Sequence, residues 1–557
     1  MKIIKQNKLA IGILLLLSAA SVTSEIYADT QEVETVTIIG TKADVKELPG
    51  SGTVVSNEEL QKAMDTDIHK ILSAVPGVYF RTEDGYGLRP NISIRGTSID
   101  RSAKITLMED GILVAPAPYT SSSAYYFPTT GRINSVEVLK GPSSISQGPS
   151  TIGGAINMIS TPIPELASGK LTQEFGQNGM LRTHAYYGGV SGNFGGLVEI
   201  HEHQSDGFDS VANVGGDTGF DKSDLMIKAR YENGDHSVTF KMVDIDEVSN
   251  QSYVGLSGQS FNANPRVRYG MTQYDEMNND GDQKSLTYLG DFEKIRVIAS
   301  TWSNDYHRDW FKVDKANNNS DHGVGNGINT VISAANAGNE NAQAILDGTL
   351  AVQVKLKHNN RFYTNEGYQF KVSTDIKNHN ITIGYRDMED SESRYQNYEC
   401  FDQSANGTNS ALYACSSGYT GSNNRLRVSK ATSFYIEDKI TIGALALTIG
   451  HRSEDYDQVE NRWDDGVPTR TMLASGYPKT KDGDHSTTGF GATYDMSENL
   501  QLVAGFHEGM TAMFGTDPEK ADNMELGFRY AKNDSSLEAF YFASDYKNLK
   551  AVCKNSQ

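Results

Sequence analysis

Hydrophobic and polar positions fall into three textures along the chain. The first is one apolar run, Leu9 to Leu17, behind Lys2, Lys5 and Lys8 and ahead of small residues that end at Ala28. A basic stretch, a short apolar core and a small-residue site predict a secretory signal peptide over 1–28, since so short a core cannot span a bilayer. The second texture, over 49–164, mixes helical and strand patterns. Asn57 reads as the N-cap of a helix through Glu58, Leu60 and Ala63, and a second helix is expected from Asp67 to Ala74, stopped by Pro76-Gly77. Short strands are expected at Ile92–Arg95, Ile105–Met108, Ser135–Leu139 and Ala155–Ser160. This stretch predicts one small α/β domain.

From 165 to 557 the period is two. Leu445, Leu447 and Ile449 alternate with Ala446, Thr448 and Gly450. Val238, Phe240 and Met242 alternate with Thr239 and Lys241 behind the turn Asn233-Gly234-Asp235, and Leu537, Ala539 and Tyr541 repeat the theme. Many such segments in succession predict antiparallel strands with one apolar face. Long polar stretches, Asn317 to Ala351 and Tyr395 to Asn424, interrupt them. Short turns on one side and long loops on the other suit a transmembrane β-barrel better than a soluble β-sandwich. Nothing after Asp29 offers the roughly 20 apolar residues of a membrane helix, so a membrane location requires strands.

Composition changes this picture little. Only 38% of residues are hydrophobic, as in a barrel whose lumen-facing positions are polar. The 28 Tyr outnumber 20 Phe and 3 Trp, and Tyr suits the bilayer interface. With 14 Pro against 53 Gly the chain is rich in turns without being low-complexity. A net charge of -20 argues against a nucleic-acid partner, whose phosphates demand a basic face. Cys400 and Cys415 lie close together in a Ser/Asn/Gly-rich stretch, so a disulfide between them is expected in an oxidising compartment, which leaves Cys553 without an obvious mate.

Ordered motifs then carry a resemblance. Glu34-Thr35-Val36-Thr37-Ile38 is a β-prone segment within the short polar stretch 29–48. Behind it come Ile71-Leu72-Ser73-Ala74-Val75-Pro76-Gly77-Val78, Asn91-Ile92-Ser93-Ile94-Arg95-Gly96 and Met108-Glu109-Asp110-Gly111. Arg132-Ile133-Asn134-Ser135-Val136-Glu137-Val138-Leu139-Lys140-Gly141-Pro142 and Gly153-Gly154-Ala155-Ile156-Asn157 complete the set. In this order they resemble the TonB-dependent outer-membrane receptors, and within them the ferric-citrate receptor group. The resemblance implies an N-terminal α/β plug over 49–164 inside a barrel over 165–557, in a family whose barrels have about 22 strands.

It also implies roles. Glu34, Thr35, Val36, Thr37 and Ile38 resemble the TonB box, which pairs as a strand with its partner. Arg95, Arg132 and Glu137, with Lys140, match charged positions that lock plug strands together or fasten the plug to the wall. Glu83 to Pro90, Ala115-Pro116-Ala117-Pro118-Tyr119 and Phe127-Pro128 resemble apical plug loops, which makes Tyr86, Arg89 and Tyr119 candidates for substrate contact. Tyr253-Val254-Gly255-Leu256, then Pro265, Arg266, Arg268 and Tyr269, resemble barrel sequences of the same group, and Arg266 and Arg268 join the candidates. Arginine and tyrosine both donate hydrogen bonds to carboxylates, as an anionic chelate needs. The implied partners are TonB with its inner-membrane ExbB-ExbD motor, an extracellular ferric chelate as transported ligand, and outer-membrane lipid. No permanently bound cofactor is expected.

Two departures qualify the resemblance. The box follows the signal peptide almost directly, which argues against the periplasmic signalling domain of some ferric-citrate receptors. Met524-Glu525-Leu526-Gly527-Phe528-Arg529-Tyr530 resembles a stretch well before the end of family members, so C-terminal strands are expected to be missing here, and with them a partner for Cys553. The sequence alternatives are a receptor for another metal complex or nutrient, or a non-functional truncated copy.

Other signals carry less. His201 and His203 would share one strand face at a spacing that suits zinc, but read as lumen-facing polar residues. Asn279-Asp280-Gly281-Asp282 lacks the distal acidic residue of a calcium loop and reads as a turn. Gly323-Val324-Gly325-Asn326-Gly327 has no strand and helix around it, so no nucleotide fingerprint is present. No metal site is expected. No set of nucleophile, base and orienting residue stands out, so no enzyme is expected.

Overall fold

The first helix begins where side chains satisfy its free amides. Ser56 caps it in a reciprocal capping box with Glu59, and the helix α1 runs Asn57–Ala63. Asn57, expected as the cap, is therefore the first helical residue, because the box needs an acid three residues beyond the cap. Asp67 caps α2, Ile68–Leu72, by accepting from the His69 amide; this helix is shorter than expected. The computed structural model describes residues 36–549 apart from 65, 414–418, 465–469 and 534. The signal peptide, Glu34, Thr35, Cys415 and Cys553 lie outside the described residues.

The plug is built on a five-stranded sheet ordered Gly52–Val55, Ile133–Leu139, Gly154–Ser160, Ile105–Glu109, Ile112–Leu113. Its third and fourth strands run parallel and the rest antiparallel. Leu72, Ile92, Ile94, Leu107, Val136, Val138 and Ile156 form its core, and that core continues into the wall through Leu197, Met226 and Val243. Plug and barrel thus share one apolar interior along this side.

Around the plug runs a 16-stranded sheet, in which 15 strands form an antiparallel meander from Ser168–Phe175 to Ser535–Lys547 and Asn409–Tyr413 pairs with His379–Gln403 off that path. Among the described residues, each of these two end strands pairs on one side only. Turns of two residues join the strands at one mouth, among them Gly192-Asn193, Gly234-Asp235, Lys377-Asn378 and Gly443-Ala444. At the first position of the hairpin after Asn233 the backbone needs a positive φ, and Gly234 supplies it at 59°. Long connections occupy the opposite mouth. One of them, expected as a polar loop, instead folds into two helices, Ile328–Asn336 and Glu340–Leu346, over their own small apolar core. Asn279-Asp280-Gly281-Asp282 is not a turn either, but lies inside the strand Glu276–Phe292, where wall positions are polar on both faces.

Exposed apolar side chains gather on the outer wall near the two-residue turns: Tyr231, Phe240, Phe370, Ile383, Ile436, Ile449, Phe490, Leu526, Leu537 and Tyr541. A band of this kind on an antiparallel barrel is the lipid-facing surface. No helix among the described residues is long and apolar enough to cross a membrane.

Candidate functional site

The site has a lower contact between the segment 36–40 and the plug sheet, a middle ring of ties between plug and wall, and an upper basic wall. At the bottom the segment 36–40 lies against the plug sheet. Glu137, on the strand Ile133–Leu139 and fully buried, accepts the backbone amides of Ile38 at 2.9 Å, Ile39 at 2.8 Å and Gly40 at 2.7 Å. Asn157 of the adjacent strand donates to Glu137 at 2.9 Å and to the Val36 carbonyl at 3.2 Å.

In the middle ring Arg95 follows the strand Ile92–Ile94 with φ at 56°, a conformation that turns its side chain toward the wall. Its guanidinium pairs with Glu525 of the wall and donates to Ser51 at 2.7 Å. Arg132, also fully buried, ties Glu109 and Tyr126 of the plug to Asp224 of the wall at 2.9 Å. Lys241 of the wall reaches Glu109 at 3.0 Å and Asp110 at 2.6 Å. Burial alone would raise both carboxyls, but Arg132 and Lys241 beside Glu109, and Lys241 and Lys228 beside Asp110, hold them below the ordinary carboxylate range. Lys140 makes no such tie: it donates to the Pro76 carbonyl at 2.9 Å, and burial, with Arg95 close by, pushes its ammonium down to about 8.

Higher up, the apical plug loop is held by the wall. Asp390 accepts the amides of Tyr119 at 2.6 Å and Thr120 at 3.0 Å, and the Tyr119 hydroxyl donates to Glu454. Tyr119 and Arg89 are both buried at 2% exposure, so neither is open to the lumen in this conformation. Arg89 lies 3.6 Å from Asp84 and over the Trp310 ring. Tyr86 is half-buried, sharing a hydrogen bond of 3.2 Å with Ser205 and packing against Phe208 and Phe220. Arg268 is buried and donates to the Thr272 carbonyl at 3.2 Å. Arg266 is exposed, over Phe208. Phe208 and Arg268 come together around one cleft with Glu83, Asp84 and Gln251, and Tyr86 packs against Phe208 at its edge. Cys400 is buried and disulfide-bonded.

The strongest concentration of positive charge lies elsewhere, at positions sequence reasoning missed. Arg308, Arg361, Arg394, Arg425 and Arg462 stand directly opposite one another on five successive strands. Arg308 stacks 3.5 Å from the ring centre of Tyr125 of the plug, so it points inward. Residues directly opposite share a face, so the whole row faces the lumen, spanning about 19 Å at the usual strand spacing. Like charges directly opposite repel. Glu392 offsets some of this, 2.8 Å from Arg361 and 2.6 Å from Arg425, and Glu460 lies 2.6 Å from Arg462 and 2.5 Å from Arg427. Arg308 is fully buried, and its guanidinium nitrogens have no hydrogen-bond partner among the described residues. Burial would raise the Tyr125 phenol, but Arg308, Arg361 and Arg101 bring it down to about 7. Arginines outnumber carboxylates along this row.

Comparison with known proteins agrees with this architecture. Residues 44–155 match the TonB-dependent receptor plug domain and residues 172–551 the TonB-dependent receptor-like β-barrel. A vitamin B12 transporter BtuB of Photobacterium profundum is 22% identical over 382 residues, which cover 63% of this chain. This chain spans 61% of the length of that relative. Among solved structures, the unliganded ferric citrate transporter FecA superposes with a TM-score of 0.73 at 19% identity, covering 95% of this chain and 74% of that one. The ferric yersiniabactin uptake receptor FyuA from Yersinia pestis gives 0.67 at 16% identity, covering 90% and 72%. At these identities the superpositions show the fold alone. With both family regions matched over most of the described sequence, the chain belongs to the TonB-dependent receptors, plugged β-barrels of the Gram-negative outer membrane that are transporters and receptors rather than enzymes.

Proposed function

We propose that this protein imports an anionic ferric chelate, ferric citrate or a carboxylate siderophore, with energy delivered by TonB and its ExbB-ExbD motor to the segment Glu34 to Ile38. The observation that carries this reading is the inward row Arg308, Arg361, Arg394, Arg425 and Arg462 above the plug. Guanidinium groups match carboxylates in shape as well as charge. Tyr86, Arg89, Tyr119, Arg266 and Arg268 stand as secondary contacts. Tyr119 would reach the ligand only after the apical loop lets go of Asp390 and Glu454, and Arg89 only after its own loop leaves Asp84 and Trp310. The curated relatives named as vitamin B12 transporters favour a corrinoid as the second reading.

The test uses the full receptor in outer-membrane vesicles and in cells. Ferric citrate should bind and cobalamin should fail to displace it; displacement by cobalamin at equal concentration supports the second reading. Val36→Pro removes a strand donor from the coupling segment, so uptake should fall to background while binding persists. Uptake that continues in this variant refutes energy coupling through that segment.

A further inference from the structure

We propose that Glu137 is the latch of the coupling segment, holding it against the plug until the plug sheet is disturbed; this rests on reading Glu34 to Ile38 as the segment the motor grips. The carboxylate accepts three consecutive backbone amides, those of Ile38, Ile39 and Gly40. Three successive amides aimed at one anion form a nest, a geometry that binds a negative charge through backbone alone. Glu137 is completely buried, and the wall's Lys371 lies near enough to interact with its charge. Its hydrogen-bond donors are the segment itself and Asn157. Removing the segment strips a buried carboxylate of most of its donors, so release is all-or-none rather than gradual.

The latch is joined to the wall. Asn157, which holds both Glu137 and the Val36 carbonyl, also accepts the Gly111 amide at 3.0 Å. Gly111 has φ at 75°, and a Cβ there would fall 2.7 Å from Cγ1 of Val36, so the turn Glu109-Asp110-Gly111 forms a cradle that only glycine fits. The same turn is pinned to the barrel by Lys241 on Glu109 and Asp110, and by Gln369 donating to the Gly111 carbonyl at 3.0 Å. A hydrogen-bonded path thus runs from two wall strands through the turn and Asn157 to the segment. A shift of the plug against the wall pulls on Asn157 and loosens both of its grips at once.

The experiment places a reporter, Thr37→Cys, in the full receptor in outer-membrane vesicles and measures its alkylation by a charged maleimide, resolved by peptide mass. Without any chelate, Glu137→Gln should speed alkylation about tenfold, because charge-assisted bonds become neutral ones. It should also raise binding of a peptide from the periplasmic domain of TonB to a similar degree. Asn157→Ser, which keeps Glu137, should give a smaller acceleration, and it decides the matter if Glu137→Gln fails to insert. Unchanged alkylation in both variants, with barrel heat-modifiability intact, overturns the latch. Faster alkylation combined with normal uptake by Val36→Pro refutes the coupling reading but leaves the latch standing.

Discussion

Arg308 carries a guanidinium whose neighbour is a tyrosine ring rather than a carboxylate. Tyr125 responds to it: the phenol, ordinarily protonated well above neutrality, titrates near 7 under the influence of Arg308, Arg361 and Arg101. Below that value no phenolate stands beside Arg308 to compete with an incoming anion; above it the phenolate competes. An anion bound beside Tyr125 also favours its protonated form, so binding takes up a proton. Ferric citrate affinity should therefore weaken as pH rises through about 7, and Tyr125→Phe should flatten that dependence, as titration calorimetry in buffers of different ionisation enthalpy will show. Arg308→Met should weaken binding about tenfold without leaving any carboxylate unpaired, since Arg308 has no acidic partner to abandon.

Elements contribute what single residues cannot, namely register. The alternation that marks each strand is visible in sequence, and the strands at Leu445–Trp463, His236–Ser249 and Ser535–Lys547 carry the expected pattern. The plug motifs containing Arg95, Arg132, Glu137 and Asn157 are visible as well. What sequence withholds is which residue faces which across two strands, so a row of arginines drawn from five strands has no signature in any one of them. The helices at Ile328–Asn336 and Glu340–Leu346 were hidden by polar composition, because only a few apolar positions such as Val331, Ile345 and Leu346 pack beneath them. Glu109 and Asp110 stabilise the docked plug fully above the ordinary carboxylate range, and lose that contribution only as pH falls through their lowered values. The wild-type plug should stay docked at about pH 4, where ordinary carboxyls titrate. Lys241→Met should expose the plug to protease in that same range, because burial then raises the Asp110 carboxyl without its main counter-charge.

The whole molecule combines opposite charges at two ranges. Its net charge is -20, while the lumen above the plug is lined by arginine. A chelate anion is repelled from afar and attracted only once inside. Raising ionic strength from about 0.01 M to about 0.15 M shortens the Debye length from roughly 30 Å to roughly 8 Å, which screens the distant repulsion first. Association should become faster over that range, with dissociation little changed, as stopped-flow measurements with the intact receptor will reveal. A receptor basic throughout would show the reverse.

The two longest strands, Val352–Ile376 and His379–Gln403, have 25 residues each. At the usual rise and tilt such strands climb about 60 Å, while the apolar band of an outer-membrane barrel is about 25 Å tall. More than half of that wall stands clear of the lipid as a rigid parapet. Its outer side carries polar residues such as Asp305, His307, Glu389 and Asp457, which support no core. That surface can change its sequence at little cost in stability while remaining the first part of the protein an antibody meets, so the parapet is where variation between strains of the bearer should accumulate, and the inner face opposite is where it should not.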